Sequence, residues 1–358
     1  MQTADGLILV MIERKYVMKH ITRNRFIGLL GAALSLSMLV GCGSGVQNPN
    51  QTGTNNGTGS VSIAYLTPGL SLPYWQYLAN GIQNRVKDIG WNATVQVYDS
   101  NNDANTQMKN AQDAISKHVD IIIISPTDSS SAPAVLSAAE TAGIPVIIAD
   151  VGTDSGTYAQ LEITPNEDSA KEVGEYLGKT MQTLGMTDKT VGQITISQAR
   201  SNGQARTKGF NEALAEYNIP TINLIQMSLY TRAEAKGMAQ DMMTANPNLG
   251  AIFCQTDDPT LGVVDAVQGA GKASSVLVVG FDATPETVTA IQNGTLLAAE
   301  IQRPALMGSD AVDAAKQILA GQTVPQQVNV PALLVTKDNV NDPTITQTLA
   351  TDVFPAAK

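Results

Sequence analysis

From Val61 onward the sequence predicts an α/β protein built from two doubly wound parallel sheets. Three observations carry this expectation. Short β-rich runs alternate with amphipathic stretches of helical length. Several of the runs are apolar on consecutive residues, the pattern of a parallel strand covered on both faces. There are nine such runs, more than the ~5–6 strands of an ordinary sheet, so they divide between two.

In chain order the expected strands are Val61–Leu66, Thr94–Tyr98, Ile121–Ile124, Val146–Ala149, Val191–Ile196, Thr221–Met227, Ala251–Gln255, Val276–Gly280 and Leu297–Ile301. Between them lie helical stretches such as Tyr74–Ile89, Asn105–Lys117, Ser131–Ala142, Asp168–Leu184, Gly203–Tyr217, Arg232–Ala245 and Pro259–Gly269. Asp168, Thr231 and Thr284-Pro285 read as helix starts, and Gly90, Gly143 and Gly271 as stops. Right-handed crossovers would join the strands. The pattern breaks near Glu162–Glu167, where Thr164-Pro165-Asn166 interrupts it.

The first 60 residues have a different character. Met18–Arg25 is cationic, and Phe26–Val40 is uncharged and mostly apolar. That run falls short of the ~20 residues that span a bilayer but suits a signal-peptide core. Leu39-Val40-Gly41-Cys42 resembles a bacterial lipobox, with Cys42 the lipidated residue. Residues 1–41 are therefore expected to be a signal peptide, with Met11 and Met18 as alternative starts. Residues 42–60, rich in Gly, Ser, Asn and Thr, are expected to be a flexible tether. The folded body would then work at a membrane surface outside the cytoplasm.

Composition narrows the function classes. The chain has 358 residues, with 22 Lys and Arg against 32 Asp and Glu. An acidic body without a basic stripe argues against nucleic acid or anionic lipid as partner. Two histidines and two cysteines leave no disulfide framework or thiolate zinc site. His118 reads as a surface helix end, Cys254 as an inert buried thiol, and Met238, Met242 and Met243 as core. No Gly-x-Gly-x-x-Gly or Walker-type sequence is present, so no cofactor is expected. Asp99–Asp103 has acidic spacing but lacks the glycine and distal glutamate of a calcium loop, and reads as a turn.

In open α/β sheets ligands bind beyond the carboxyl ends of the strands. Those positions here carry Tyr74 and Trp75, Ser125, Asp150, Arg206, Tyr230, Thr256, Asp282 and Gln302. Carboxylates, an amide, a guanidinium, hydroxyls and flat rings suit a polyhydroxylated ligand. Each sugar hydroxyl both donates and accepts, charged partners strengthen those bonds, and C–H faces pack on aromatic rings. Each residue also has an ordinary reading. Tyr74 and Trp75 would be core aromatics, Asp150 a turn former, Asp282 a helix cap, and Arg206 and Gln302 solvated.

The body, Val61 to about Lys337, resembles the type I periplasmic sugar-binding proteins, especially the ribose-binding-protein group. The motifs are Ile124-Ser125-Pro126-Thr127-Asp128, Gly143-Ile144-Pro145-Val146, Ala205-Arg206-Thr207-Lys208-Gly209-Phe210 and Gly280-Phe281-Asp282-Ala283-Thr284-Pro285. The resemblance implies two lobes joined by a three-crossing hinge that close around a ligand. One lobe would be 61–164 plus 303–328, the other 165–302 plus 329–358. It implies Tyr74 and Trp75 as stacking aromatics, Tyr230 as a second-lobe aromatic, and Asp150, Arg206, Asp282 and Gln302 as the main hydrogen-bonding groups. Ser125, Thr256 and Leu72 stand where ribose-type members carry asparagine, and Val151 where they carry arginine. The expected ligand is accordingly a sugar or polyol other than D-ribose. The implied role is a monomeric, lipid-anchored solute-binding protein of an ABC importer. Two alternatives stay open: a ligand-sensing partner of a chemoreceptor or sensor kinase, and a glycosidase using Asp150 and Asp282.

Overall fold

A computed structural model describes residues 59–358. The expected signal segment, Cys42 and nearly all of the tether lie outside the described residues. The described residues begin with β1 (Val61–Thr67), α1 (Pro73–Asp88), β2 (Ala93–Asp99), α2 (Ala104–Ser116), β3 (Ile121–Ile124), α3 (Ala132–Thr141), β4 (Val146–Ala149) and β5 (Gln160–Ile163). Then follow α4 (Asn166–Thr183), β6 (Thr190–Thr195), α5 (Ser201–Glu216), β7 (Ile225–Gln226), α6 (Arg232–Ala245) and β8 (Leu249–Cys254). The chain continues through α7 (Asp257–Gly269), β9 (Leu277–Phe281), α8 (Pro285–Asn293), β10 (Ala298–Ile301), α9 (Pro304–Leu319), β11 (Gln327–Asn329), β12 (Leu333–Thr336) and α10 (Pro343–Thr348).

Two six-stranded sheets result, with orders β11-β5-β4-β3-β1-β2 and β12-β10-β9-β8-β6-β7. The two orders are the same topology used twice. All neighbours are parallel except β10 and β12. The apolar runs explain the layering. Ile121 and Ile123 face one core cluster while Ile122 and Ile124 face another, because successive strand residues point to opposite faces. In the second sheet Phe253 and Cys254 divide in the same way. Cys254 is fully buried, Met242 and Met243 lie in the core, and His118 is exposed at the end of α2.

The structure differs from the sequence reading at several elements. The expected strand Thr221–Met227 shrinks to β7, with Thr221 making only an isolated bridge to Val191. β5, β11 and β12 were not expected, since their short segments mix polar and apolar residues without a clean period. Asp168 does not start its helix. Pro165 occupies the N-cap of α4 and Asp168 lies in the first turn. By contrast Thr231 accepts from the backbone of Glu234, and Thr284 forms a reciprocal capping box with Thr287.

The chain passes between sheets after β5, after β10 and between β11 and β12. The third passage thus follows Asn329, next to the expected break between residues 328 and 329. The C-terminal end also returns to the first sheet's side. Pro355 and Ala356 accept hydrogen bonds from Asn80 and Asn84 of α1, and Tyr77 stacks obliquely on Phe354. The segment 329–358, expected in the second lobe, thus touches α1 at this tail, while its Val335, Val340, Leu349 and Val353 pack in a core cluster with the second sheet.

Candidate functional site

The carboxyl ends of both sheets face one narrow crevice with an accessible volume of about 20 Å3, lined by Leu72, Tyr74, Trp75, Asp150, Ile196, Arg200, Asn202, Arg206, Tyr230, Thr256, Asp282 and Gln302. Eight of the nine expected ligand residues are in this set.

The duplicated topology sets up the two aspartates. Asp150 directly follows β4, and its backbone N–H donates to the Glu162 carbonyl on β5 (2.8 Å). Asp282 directly follows β9, and its N–H donates to the Glu300 carbonyl on β10 (2.7 Å). Both have left-handed backbones, φ 73° and 66°, as does Tyr230 at 56°. Such conformations cost about 1–3 kcal/mol at a non-glycine residue and gather where geometry serves function. Here each turns the side chain into the crevice at the strand end.

Both carboxylates are buried and held. Asp150 accepts from the Tyr74 hydroxyl (2.8 Å) and, across the crevice, from the Asn202 amide (3.2 Å). Asp282 accepts from the Gln302 amide (2.8 Å), with Arg206 Nη1 3.5 Å from its other oxygen. Burial raises the Asp150 carboxyl, with Arg206 opposing. Burial pushes Asp282 up to about 7, again opposed by Arg206. Arg206, only 2% exposed, is fixed by Asn166 Oδ1 and the Gln255 carbonyl (2.8 Å each) and lies over the Phe281 ring.

Trp75 and Tyr74 meet edge to face at 4.8 Å in the first turn of α1. They belong to the core cluster beneath the first sheet and also line the crevice, so the two readings of them are compatible. The Tyr230 hydroxyl accepts from the Ser197 backbone, and the Thr256 hydroxyl donates to Asp257. Ser125 is the residue the structure does not bring in. Its hydroxyl is fully buried, 3.1 Å from the Tyr65 hydroxyl, and does not line the crevice. Strand-end position alone did not distinguish a side chain turned into the sheet from one turned outward.

Sequence reasoning placed Leu72 at a site position only through the family resemblance, and passed over Ile196, Arg200 and Asn202 altogether. The usable signal was their place between the end of β6 and the first turn of α5, where helix starts face the crevice. Arg200 reaches across to the Thr127 carbonyl (2.7 Å) and Asn102 (2.6 Å). Ser201 donates from its backbone to the Ser129 hydroxyl (2.9 Å). The lobes thus touch directly at the crevice rim. Among the described residues no group of three or more His, Cys, Asp or Glu is placed to hold a metal ion.

The periplasmic binding protein domain family matches residues 63–323. The chain belongs to this family. The ribose import binding protein of Escherichia coli is 31% identical over 282 residues, covering 79% of this chain and 93% of that protein. The D-allose-binding periplasmic protein of the same organism is 27% identical over 78% of this chain and 93% of its own length. The crystal structure of an ABC transporter periplasmic solute-binding protein from Actinobacillus succinogenes, with bound D-allose, superposes with a TM-score of 0.72. It shares 26% identity and covers 79% of this chain and all of its own. This periplasmic binding protein is therefore a transport-type solute binder rather than an enzyme, and its family works outside the cytoplasm.

Proposed function

We propose that this binding protein captures a monosaccharide or polyol in the crevice between its lobes and hands it to an ABC permease. The observation that carries the reading is convergence. Tyr74, Trp75, Asp150, Arg206, Tyr230, Thr256, Asp282 and Gln302, spread over more than 200 residues of sequence, line one space. Their chemistry is that of a sugar site, with carboxylates and an amide to accept, a guanidinium to donate, and rings for C–H faces. Relatives named for ribose and D-allose agree with that ligand class. Leu72 and Thr256 in the lining, with Val151 fully buried in the core, remove amide and guanidinium groups from the places where the resemblance puts them, while Arg200 and Asn202 bring such groups in from elsewhere. The ligand is then a sugar or polyol other than D-ribose. Binding favours closure through contacts to both lobes, and closure presents a surface from both to the permease.

Cys42 would carry the lipid anchor, each buried acyl methylene contributing about 0.8 kcal/mol. Residues 43–60 would be the tether, and the protein would act as a monomer. Calorimetric titration with pentoses, hexoses and polyols tests the ligand class. At least one should bind near the micromolar range, about −8 kcal/mol, and more tightly than D-ribose. Binding by none of them would refute the reading.

A further inference from the structure

Asn202 lies in the first turn of α5, is 3% exposed, and lines the crevice. Its Nδ2 donates to Asp150 Oδ2 on the opposite lobe at 3.2 Å. A carboxylate only accepts, so this bond sets the orientation of the amide, nitrogen toward Asp150 and oxygen away. The oxygen, Oδ1, is buried and has no hydrogen-bond partner within the protein. Leaving such an acceptor unpaired is costly, whereas a ligand hydroxyl in the crevice would satisfy it. The amide is also the one polar crevice group that joins both functions of the site, since it spans the lobes and offers an acceptor to the ligand.

We propose that Asn202 is a specificity-determining residue, reading one donor hydroxyl of the bound sugar through Oδ1 while its Nδ2 ties the second lobe to Asp150. The inference deepens the sugar-binding reading and rests on it. It accounts for how a site lacking amides at Leu72 and Thr256 still selects by hydrogen bonding. The amide comes from α5 instead, on an element where the resemblance to ribose-type sites places no contact other than Arg206. Because the orienting bond crosses the crevice, the acceptor is aimed only when the lobes meet, so selection and closure are one event. A hydroxyl-reading site discriminates against the analogue that lacks the hydroxyl.

The test is calorimetry on the full mature chain, using the tightest sugar of the panel and its monodeoxy analogues, with wild type and Asn202→Ala. The parent sugar should bind N202A at least tenfold more weakly. One deoxy analogue should bind wild type at least tenfold more weakly than the parent, and bind N202A and wild type about equally. Thermal melting of the ligand-free proteins checks that both fold. Should N202A fail to fold, Asn202→Ser carries the same comparison. Parent binding to the variant within twofold of wild type would overturn the proposal. So would a variant that weakens the parent and every deoxy analogue by the same factor, because Asn202 would then act on closure alone. Wild type binding no sugar at all would instead remove the sugar reading, and this inference with it.

Discussion

Arg206 is a full guanidinium with almost no contact with water, held by Asn166, the Gln255 carbonyl, the Phe281 ring and Asp282. Removing one partner of a buried pair leaves the other charge uncompensated, typically at a cost of about 3–5 kcal/mol. Arg206→Ala should therefore lower unfolding stability by roughly that amount in urea and abolish sugar binding. Arg206→Lys should not restore binding, since a point charge cannot make the two diverging bonds to Asn166 and Gln255. A stable R206A protein that still binds would show that Asp282 is not held by this cation. At this scale much of the crevice was legible. Side-chain chemistry at strand ends picked out Asp150 and Asp282, while Arg206, which lies within α5, was picked out by the family motif Ala205–Phe210. What was not legible was direction: Ser125 and Asp150 both follow strands, but only the left-handed backbone of Asp150 turns its side chain outward.

Among the elements, the helix pairs are closed by glycines rather than by side-chain ridges. A Cβ on Gly209 in α5 would lie 2.0 Å from the Glu167 carbonyl of α4, and one on Gly81 in α1 would lie 2.2 Å from the Ala305 carbonyl of α9. Backbone stands opposite backbone at both places, so no rotamer change relieves the clash. Gly209→Ala should destabilise by about 1–3 kcal/mol or more, read as a lower denaturation midpoint at unchanged slope. It should also weaken ligand binding, because α5 carries both Asn202 and Arg206. The start signals at Thr231 and Thr284 were readable because a hydroxyl cap is a local feature. Asp168 was misread because the acidic residue suits the helix dipole anywhere in the first turn, while the cap position went to Pro165. β5, β11 and β12 were missed for a different reason: a strand of three or four residues takes its conformation from its neighbours' ladder, not from its own sequence.

Across the molecule, the repeated topology places Glu162 and Glu300 at matching positions beside the passages between lobes, both almost fully buried and each with an unpaired oxygen. Burial, reinforced by the like charge of Asp310, pushes Glu162 up to about 8. A carboxyl raised in the folded state holds a proton that the unfolded chain releases at about pH 4.5. Its stabilising effect is full below that pH and is lost as pH rises toward 8. Asp282, about 7, and Asp257, about 6, act in the same direction. Ligand-free protein should melt at a lower temperature at pH 9 than at pH 5. Glu162→Gln should raise the pH 9 value by at least about 2 °C while leaving pH 5 nearly unchanged. Equal pH dependence in the two proteins would show that Glu162 is ionised in the fold.

Alternation of strand and helix patterns, the count of nine strand runs and the residue types at strand ends were enough to establish two α/β lobes and a polar, aromatic crevice. Those features are local or periodic, and each segment carries its own. The tertiary structure decided which strand ends face each other, where the chain passes between the sheets, and that the C-terminal tail returns to α1. It also brought Asn202 against Asp150 and turned Ser125 away. These depend on backbone direction and on contacts between residues far apart in sequence, and neither leaves a periodic trace in the chain.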